Sequence, residues 1–348
     1  MRKKQVSIRG NLIREMMRDV MGTALGKPIQ SGEIRRHPVE PAWICPPGFI
    51  YELIDMEHFK MEYLQPQDVY TGRVVLQLHG GGYIGPMKNI YRSFAVKYSR
   101  LSMYGDVLTI DYRVAPEHPY PAALEDAIAA YRWLLDEKNY RPEQIVVAGD
   151  SAGGGLALAL CLYLRDHQIP LPAGIIAMSP WTDLTLSGES YTSNYDHDPL
   201  FGNTRESMLY NSTYIGDSDP TDPYMSPLFG EYFGFPPVLL QVGDIEVLLS
   251  DTLRVSEKLR EAGVKQRLSV YEGMFHSFQM GLDLIPESRE AWEEVERFIG
   301  IVCQIERKAE GKIVRRVKGK TENKDENHIG YGWKNKRKIL PGGNFGIQ

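Results

Sequence analysis

The sequence is poor in cysteine, has no long apolar run and carries no excess of positive charge, and each lack removes a class of protein. Cys45, Cys161 and Cys303 are its three cysteines in 348 residues. An odd, widely spaced set without metal-ligand spacing excludes a disulfide framework and a cysteine-bound zinc. These residues read as incidental or buried thiols. The greasiest run, Leu156 to Leu164, is about half the length a membrane span requires. The basic start MRKKQVSIRG continues into Arg14, Arg18 and Asp19, not into the roughly 7–15 uninterrupted apolar residues of a secretory signal. The cytoplasm is the expected location. A net charge of −5 gives no general pull toward nucleic acid or an anionic membrane. Neither a nucleic-acid partner nor stable membrane insertion is expected, and no internal repeat is visible.

What is present is a 43% hydrophobic chain, enough for one large core with additions. Its middle alternates strand-like and helix-like segments, the pattern of a mostly parallel α/β sheet. Val74–Leu78, Val107–Ile110, Ile145–Ala148, Ile175–Met178, Val238–Val242 and Leu268–Tyr271 are short apolar runs that end in small or polar residues. Residues 49–64 read as two further, more exposed strands, antiparallel additions to the sheet. Between the runs, Ala123, Ala127, Ala130, Tyr131 and Leu134 fall on one helical stripe, as do Val255, Leu259 and Ala262, and later Ala291, Val295, Phe298, Ile299 and Val302. The segment from Ala152 to Leu164 is apolar all round and should be buried.

Three regions stand apart. Residues 1–45 carry an amphipathic pattern with Leu12, Ile13, Met16, Met17 and Val20 on one side. Residues 185–220 are rich in Tyr, Asp, Ser and Asn without a strand signal. These two are expected to pack together as a cap over one end of the sheet, whose domain spans 46–305. The lysine-rich segment 306–348 lacks periodicity and is expected to be a disordered tail.

Chemistry is concentrated in three places. Gly149-Asp150-Ser151-Ala152-Gly153 is a G-x-S-x-G sequence between a strand and a helix, the context of a nucleophile elbow that lifts a serine hydroxyl above the sheet. His79-Gly80-Gly81-Gly82 follows the Val74–Leu78 strand. Acyl transfer passes through an oxyanion that needs aimed N–H donors, and Gly81, Gly82 and Ala152 are the candidates. A phosphate cradle would end in Gly-Lys-Ser/Thr, which is missing. Glu272-Gly273-Met274-Phe275-His276 places a histidine late in the chain, where the order Ser, acid, His requires the base. The acid should follow Val238–Val242: Glu246 is favoured over Asp244, with Asp251 behind both. No metal or organic cofactor is called for.

With these residues in view, the sequence resembles the bacterial hormone-sensitive-lipase-like esterases, the HGGG (family IV) group of α/β-hydrolases. Further marks are Asp111-Tyr112-Arg113-Val114-Ala115-Pro116-Glu117-His118-Pro119, Ser179-Pro180-Trp181, Ser226-Pro227-Leu228 and Met274-Phe275-His276-Ser277-Phe278. The resemblance spans roughly residues 45 to 305. It implies a mainly parallel eight-stranded sheet flanked by helices, with a helical cap built from the N-terminus and an insertion after the sixth strand. It implies a Ser151, Glu246, His276 triad with Gly81, Gly82 and Ala152 as oxyanion hole. The family's acid is usually aspartate, and here a glutamate holds the position. A small-molecule ester with a short acyl chain is the implied substrate, and a homodimer through the edge near the last strand is a further expectation. The Arg113–Asp126 stretch reads as bracing. The alternatives are an amidase or a sugar or arylamine deacetylase using the same triad. The non-catalytic gibberellin receptors resemble this family but have lost the histidine that this chain keeps as His276.

Overall fold

The computed structural model describes residues 6–23, 26–36, 39–202 and 205–304; the tail expected over 306–348 lies outside them. The apolar runs become strands β1 (Phe49–Asp55), β2 (Lys60–Pro66), β3 (Val74–Leu78), β4 (Asp106–Asp111), β5 (Ile145–Asp150), β6 (Gly174–Met178), β7 (Val238–Gly243) and β8 (Gln266–Tyr271). They form one sheet in the order β1-β2-β4-β3-β5-β6-β7-β8. β1 pairs antiparallel with β2, and β2 antiparallel with β4. The other pairings are parallel.

Side-chain alternation explains the layers. Along β3, Val74, Leu76 and Leu78 face one core while Val75 faces the other; along β5, Ile145 and Val147 oppose Val146 and Ala148. Every residue of β3, β5, β6 and β7 is buried, as strands covered by helices on both faces must be. β1 alternates partly buried and exposed positions because it is an edge strand.

The first core is closed by helices α5 (Ala122–Asp136), α6 (Ala152–Asp166) and α8 (Leu249–Glu261), through residues such as Tyr131, Leu158 and Leu259. The second is closed by α4 (Asn89–Leu101) and α9 (Pro286–Val302), where Phe94, Tyr98 and Trp292 meet edge to face. The α4 helix was not anticipated above. Ahead of the sheet come α1 (Ile8–Met21), α2 (Gly26–Gln30) and α3 (Glu33–Arg36). Between β6 and β7, the described part of residues 185–220 holds one short helix, α7 (Ser190–Ser193), among turns. It touches the N-terminal segment: the Met208 N–H donates to the Gln30 carbonyl at 2.8 Å, and Lys27 pairs with Glu206 at 3.2 Å. Among the described residues no helix is long and apolar enough to cross a membrane.

Candidate active site

Parallel pairing brings the chemical residues together. Leu78 of β3 lies beside Gly149 of β5, and Gly243 of β7 beside Tyr271 of β8. The loops that carry Gly81 and Gly82, Ser151, Glu246 and His276 therefore all leave the carboxyl ends of neighbouring strands. That is the end at which open parallel sheets bind their ligands.

Ser151 sits between β5 and α6 with φ 54° and ψ −124°, a conformation costly for any residue with a Cβ. The turn is held from both sides: the Ser151 N–H donates to the Met178 carbonyl and the Trp181 N–H donates to the Ser151 carbonyl, each at 2.9 Å. It also needs its small neighbours. A β-carbon on Gly153 would stand 2.1 Å from the Leu78 carbonyl oxygen, and one on Gly149 2.2 Å from that of Gly153. The spacing of the motif follows from these contacts.

The glycine loop is built to present amides. Gly81 and Gly82 have φ of 127° and 66°, so their peptide groups turn in ways open to glycine. Among the described residues none accepts a hydrogen bond from the N–H of Gly81, Gly82 or Ala152. Ala152 is the first residue of α6, where a helix leaves its N–H groups unsatisfied. His79 braces the loop from beneath. Its ring stacks on Tyr112 at 4.0 Å, its Nδ1 lies 2.8 Å from the Gly80 carbonyl, and the Tyr112 hydroxyl donates to its own carbonyl at 2.6 Å. Burial lowers the His79 pKa.

On the other side of the site, His276 Nδ1 meets Glu246 Oε2 at 2.7 Å, with both side chains buried. The second carboxylate oxygen, Oε1, accepts from the Gly243 N–H at 2.7 Å and from the Ser179 hydroxyl at 2.9 Å. Asp244 points elsewhere: its Oδ1 accepts from the Gly273 N–H at 2.6 Å, tying the two loops together. Asp251 accepts from the Thr182 and Asp183 N–H groups at 2.8 and 2.9 Å. Of the three candidate acids, the geometry brings Glu246 to the imidazole. Arg113 embraces Asp126 at 2.7 Å, away from the site, as a brace.

Ser151 and His276 line one cavity of about 420 Å³ together with Gly81 and Asp150. Its roof comes from Ile13, Met16 and Met17 of α1 and its side from Leu200, Leu284 and Ile285. The α1 stripe expected above divides in two. Ile13 and Met17 face the cavity, whereas Leu12 is 68% and Val20 41% exposed, with Met16 on the rim at 57%.

Sequence reasoning passed over four residues that shape this site. Ser179 not only donates to Glu246 but also accepts from the Ser277 N–H at 3.2 Å, linking the loops that carry Glu246 and His276. Asp198, from the 185–220 segment, accepts from the Val247 N–H at 2.8 Å and so holds the turn that carries Glu246. Asp150, buried beside Ser151, accepts from the Gly80 N–H at 3.2 Å and the Tyr91 hydroxyl at 3.3 Å. Burial raises its pKa to about 6. Arg35 of α3 lines the cavity as well. Ser179 and Asp150 stood in quoted motifs, Ser179-Pro180-Trp181 and Gly149-Asp150-Ser151-Ala152-Gly153, while Asp198 and Arg35 carried no sequence signal.

A family model described as the alpha/beta hydrolase fold matches residues 75–280. The chain belongs to this α/β-hydrolase family. An esterase of Acinetobacter venetianus is 38% identical over 227 residues, 65% of this chain and 74% of its own. An acetyl-hydrolase of Streptomyces hygroscopicus is 37% identical over 261 residues, 73% and 83% of the two chains. Among solved structures, an esterase/lipase from an uncultured bacterium superposes with a TM-score of 0.75 at 32% identity, covering 86% of this chain and 99% of its own. An esterase from the bacterial hormone-sensitive lipase family gives 0.73 at 32% identity over the same shares. The hydrolase thus falls in the hormone-sensitive-lipase-like esterase branch, as the motifs led us to expect. Its fold, an eight-stranded and mostly parallel sheet flanked by helices, is the expected one too. Among the described residues no cluster of histidine, cysteine and carboxylate side chains has the arrangement of a metal site.

Proposed function

We propose that this hydrolase cleaves short-chain carboxylic esters with Ser151 as nucleophile, His276 as base and acid, Glu246 as the orienting carboxylate, and Gly81, Gly82 and Ala152 as oxyanion donors. The observation that carries the reading is the buried Glu246–His276 contact at 2.7 Å, on a histidine that shares its cavity with Ser151. A carboxylate accepts only, so the proton lies on Nδ1 and Nε2 is left to act as base. His276 takes the Ser151 proton as the serine oxygen attacks the ester carbonyl carbon. The carbonyl oxygen becomes an oxyanion, held by the three N–H groups. When the carbon–oxygen bond to the alcohol breaks, His276 returns the proton to the departing oxygen. Water then attacks the acyl-serine by the same route and frees the acid. Residues of the chain and water balance every step.

The small apolar cavity supports short acyl groups, as does kinship with a protein named acetyl-hydrolase. In this reading residues 1–45 and 185–220 form a cap over the catalytic domain of residues 46–305. Three unpaired cysteines suit the cytoplasm. The outer edge of β8, last in the strand order, suits pairing with a second copy, which light scattering would read as twice the monomer mass.

The test is a p-nitrophenyl ester series from acetyl to dodecanoyl beside p-nitroacetanilide. Turnover should peak at acetyl or butyryl and vanish in Ser151→Ala. A protein that cleaves the anilide and no ester would be an amidase. A folded protein that binds esters without turnover would be a receptor.

A further inference from the structure

Arg35 has no place in the reaction just described, yet it lines the same cavity as Ser151, Gly81 and His276. The short helix α3 that carries it lies directly on the glycine loop. A β-carbon on Gly85 would stand 3.0 Å from the Arg35 Cβ and 3.3 Å from its carbonyl oxygen. The Arg35 backbone is therefore seated against the structure that presents the oxyanion donors.

The guanidinium has no hydrogen-bond acceptor and no ion-pair partner among the described residues. Other arginines of this chain differ. Arg92, which lines a separate and more open depression with Trp43 and Tyr51, is held by Glu62 at 2.6 Å. Arg113 holds Asp126 at 2.7 Å, and Arg254 holds Asp183 at 2.9 Å. The carboxylate that lines the cavity with Arg35 is Asp150. Its carboxylate, however, accepts from Gly80, Tyr91 and Ser277. The positive charge of Arg35 is felt at Asp150 and at Tyr91, whose proton affinities it lowers against the effect of burial. Its field thus reaches the floor of the cavity while its five N–H donors stay uncommitted. The roof and side of the cavity are otherwise apolar: Ile13, Met16, Met17, Leu200 and Leu284 offer it nothing.

A partly exposed guanidinium can turn its N–H groups to water, and an anion in the space before it would replace those contacts with stronger charge-assisted hydrogen bonds. A neutral alkyl ester would leave it unmatched. An anionic group on the substrate would meet a rigid planar fork suited to two parallel hydrogen bonds. We propose that Arg35 is a specificity-determining residue that selects esters bearing an anionic substituent, a carboxylate or a phosphate, on the acyl or alcohol part. This inference rests on the ester-hydrolase reading and names its substrate class.

The experiment compares two pairs of charged and neutral esters by pH-stat: monomethyl glutarate against methyl pentanoate, and 1-acetylglycerol 3-phosphate against 1-acetylglycerol. Wild type should favour the anionic member of at least one pair by about ten- to hundredfold in kcat/KM, the scale of a charge-assisted hydrogen bond. The favoured pair identifies the anion. In Arg35→Ala that ratio should fall at least tenfold, and in Arg35→Lys it should lie between. Because each ratio is taken within one preparation, loss of folded protein cancels. Arg36→Ala, at an exposed neighbour outside the cavity, should keep the wild-type ratio. Added salt should lower the preference in wild type and leave it unchanged in Arg35→Ala. Neutral esters cleaved as well as their anionic partners, or a ratio indifferent to Arg35→Ala, would overturn the inference and leave the esterase reading standing. No turnover of any ester would overturn both.

Discussion

The floor and the roof of the cavity are made by different means. The floor comes from strand ends: Ser151 and Gly81 stand on loops leaving β5 and β3, and Glu246, behind the His276 that also lines it, stands on the loop leaving β7, all three strands being buried along their whole length. Each loop is fixed by backbone bonds to its neighbours, such as Ser151 to Met178. The roof comes from α1 and α3, which contribute Ile13, Met17 and Arg35 but leave Ile8 and Leu12 at 88% and 68% exposure. A floor of this kind is set by sterics that tolerate almost no change, while a roof of this kind is set by docking. In the proposed reading, reaction and selectivity therefore reside in parts of the molecule under different constraints.

The comparison is broken most severely at the floor. Ser151→Ala should lower kcat by about 10⁴- to 10⁶-fold with an unchanged melting temperature. Glu246→Gln should cost about 10³- to 10⁴-fold, since the wrong imidazole tautomer is then favoured. Asp244→Asn should stay within about tenfold, because its contact is to the Gly273 amide. Equal losses in the two acid variants, measured by steady-state kinetics, would reverse their assignment.

The next effect is on stability. Burial raises Asp150 from 3.8 to about 6, so the folded protein keeps a proton that the unfolded chain has released. The stabilisation is complete below about pH 4 and is lost as pH rises toward 6, by about 3 kcal/mol. Asp150→Asn removes that slope. Urea unfolding at pH 4 and pH 6.5 should show the variant gaining on wild type by about that amount. A constant difference between the two would refute the sign.

A smaller effect is expected at the joint between acid and base. Ser179→Ala removes the hydroxyl that bonds both Glu246 and the Ser277 amide. It should lower kcat about ten- to hundredfold with KM unchanged, as expected of a residue that acts by positioning. The smallest effects belong to the roof. Leu12→Gln and Val20→Gln, on the outer face of α1, should leave kcat/KM within about twofold. Ile13→Gln should shift the preferred acyl length. Equal effects on both faces would mean that α1 serves stability alone.

These differences also explain what could be read from the sequence. The strand, the tight turn and the helix around Ser151 are local, and the contacts of Gly149 and Gly153 demand that spacing wherever the motif occurs. Glu246 and Asp244 could not be separated with the same force, since both follow β7 in one loop. What distinguishes them is distant in sequence: Ser179 at one and Gly273 at the other. In α4 the apolar spacing of Tyr91, Phe94, Ala95 and Tyr98 was present, but the residue ahead of the helix, Lys88, makes no side-chain cap, so no start signal marked it. In α1 two adjacent apolar stripes read as one. Only docking against α9 and the Met274 loop decides which of them turns inward, and the close approach of Gly10 to Met274 and Glu287 records that docking.

Ser7 shows what such docking entails for the chain as a whole. Its hydroxyl caps α1 by accepting from the Gly10 N–H at 2.9 Å, and its own N–H and hydroxyl both donate to Glu287 in the first turn of α9, at 2.6 and 2.8 Å. Among the described residues, one side chain thus latches the first helix to the last, across 280 positions of sequence. A protease cut just beyond Ser7 would remove no reacting atom, yet it would unlatch the roof. The wound would appear first as a change in which esters are chosen, and only later as a loss of the power to cleave them.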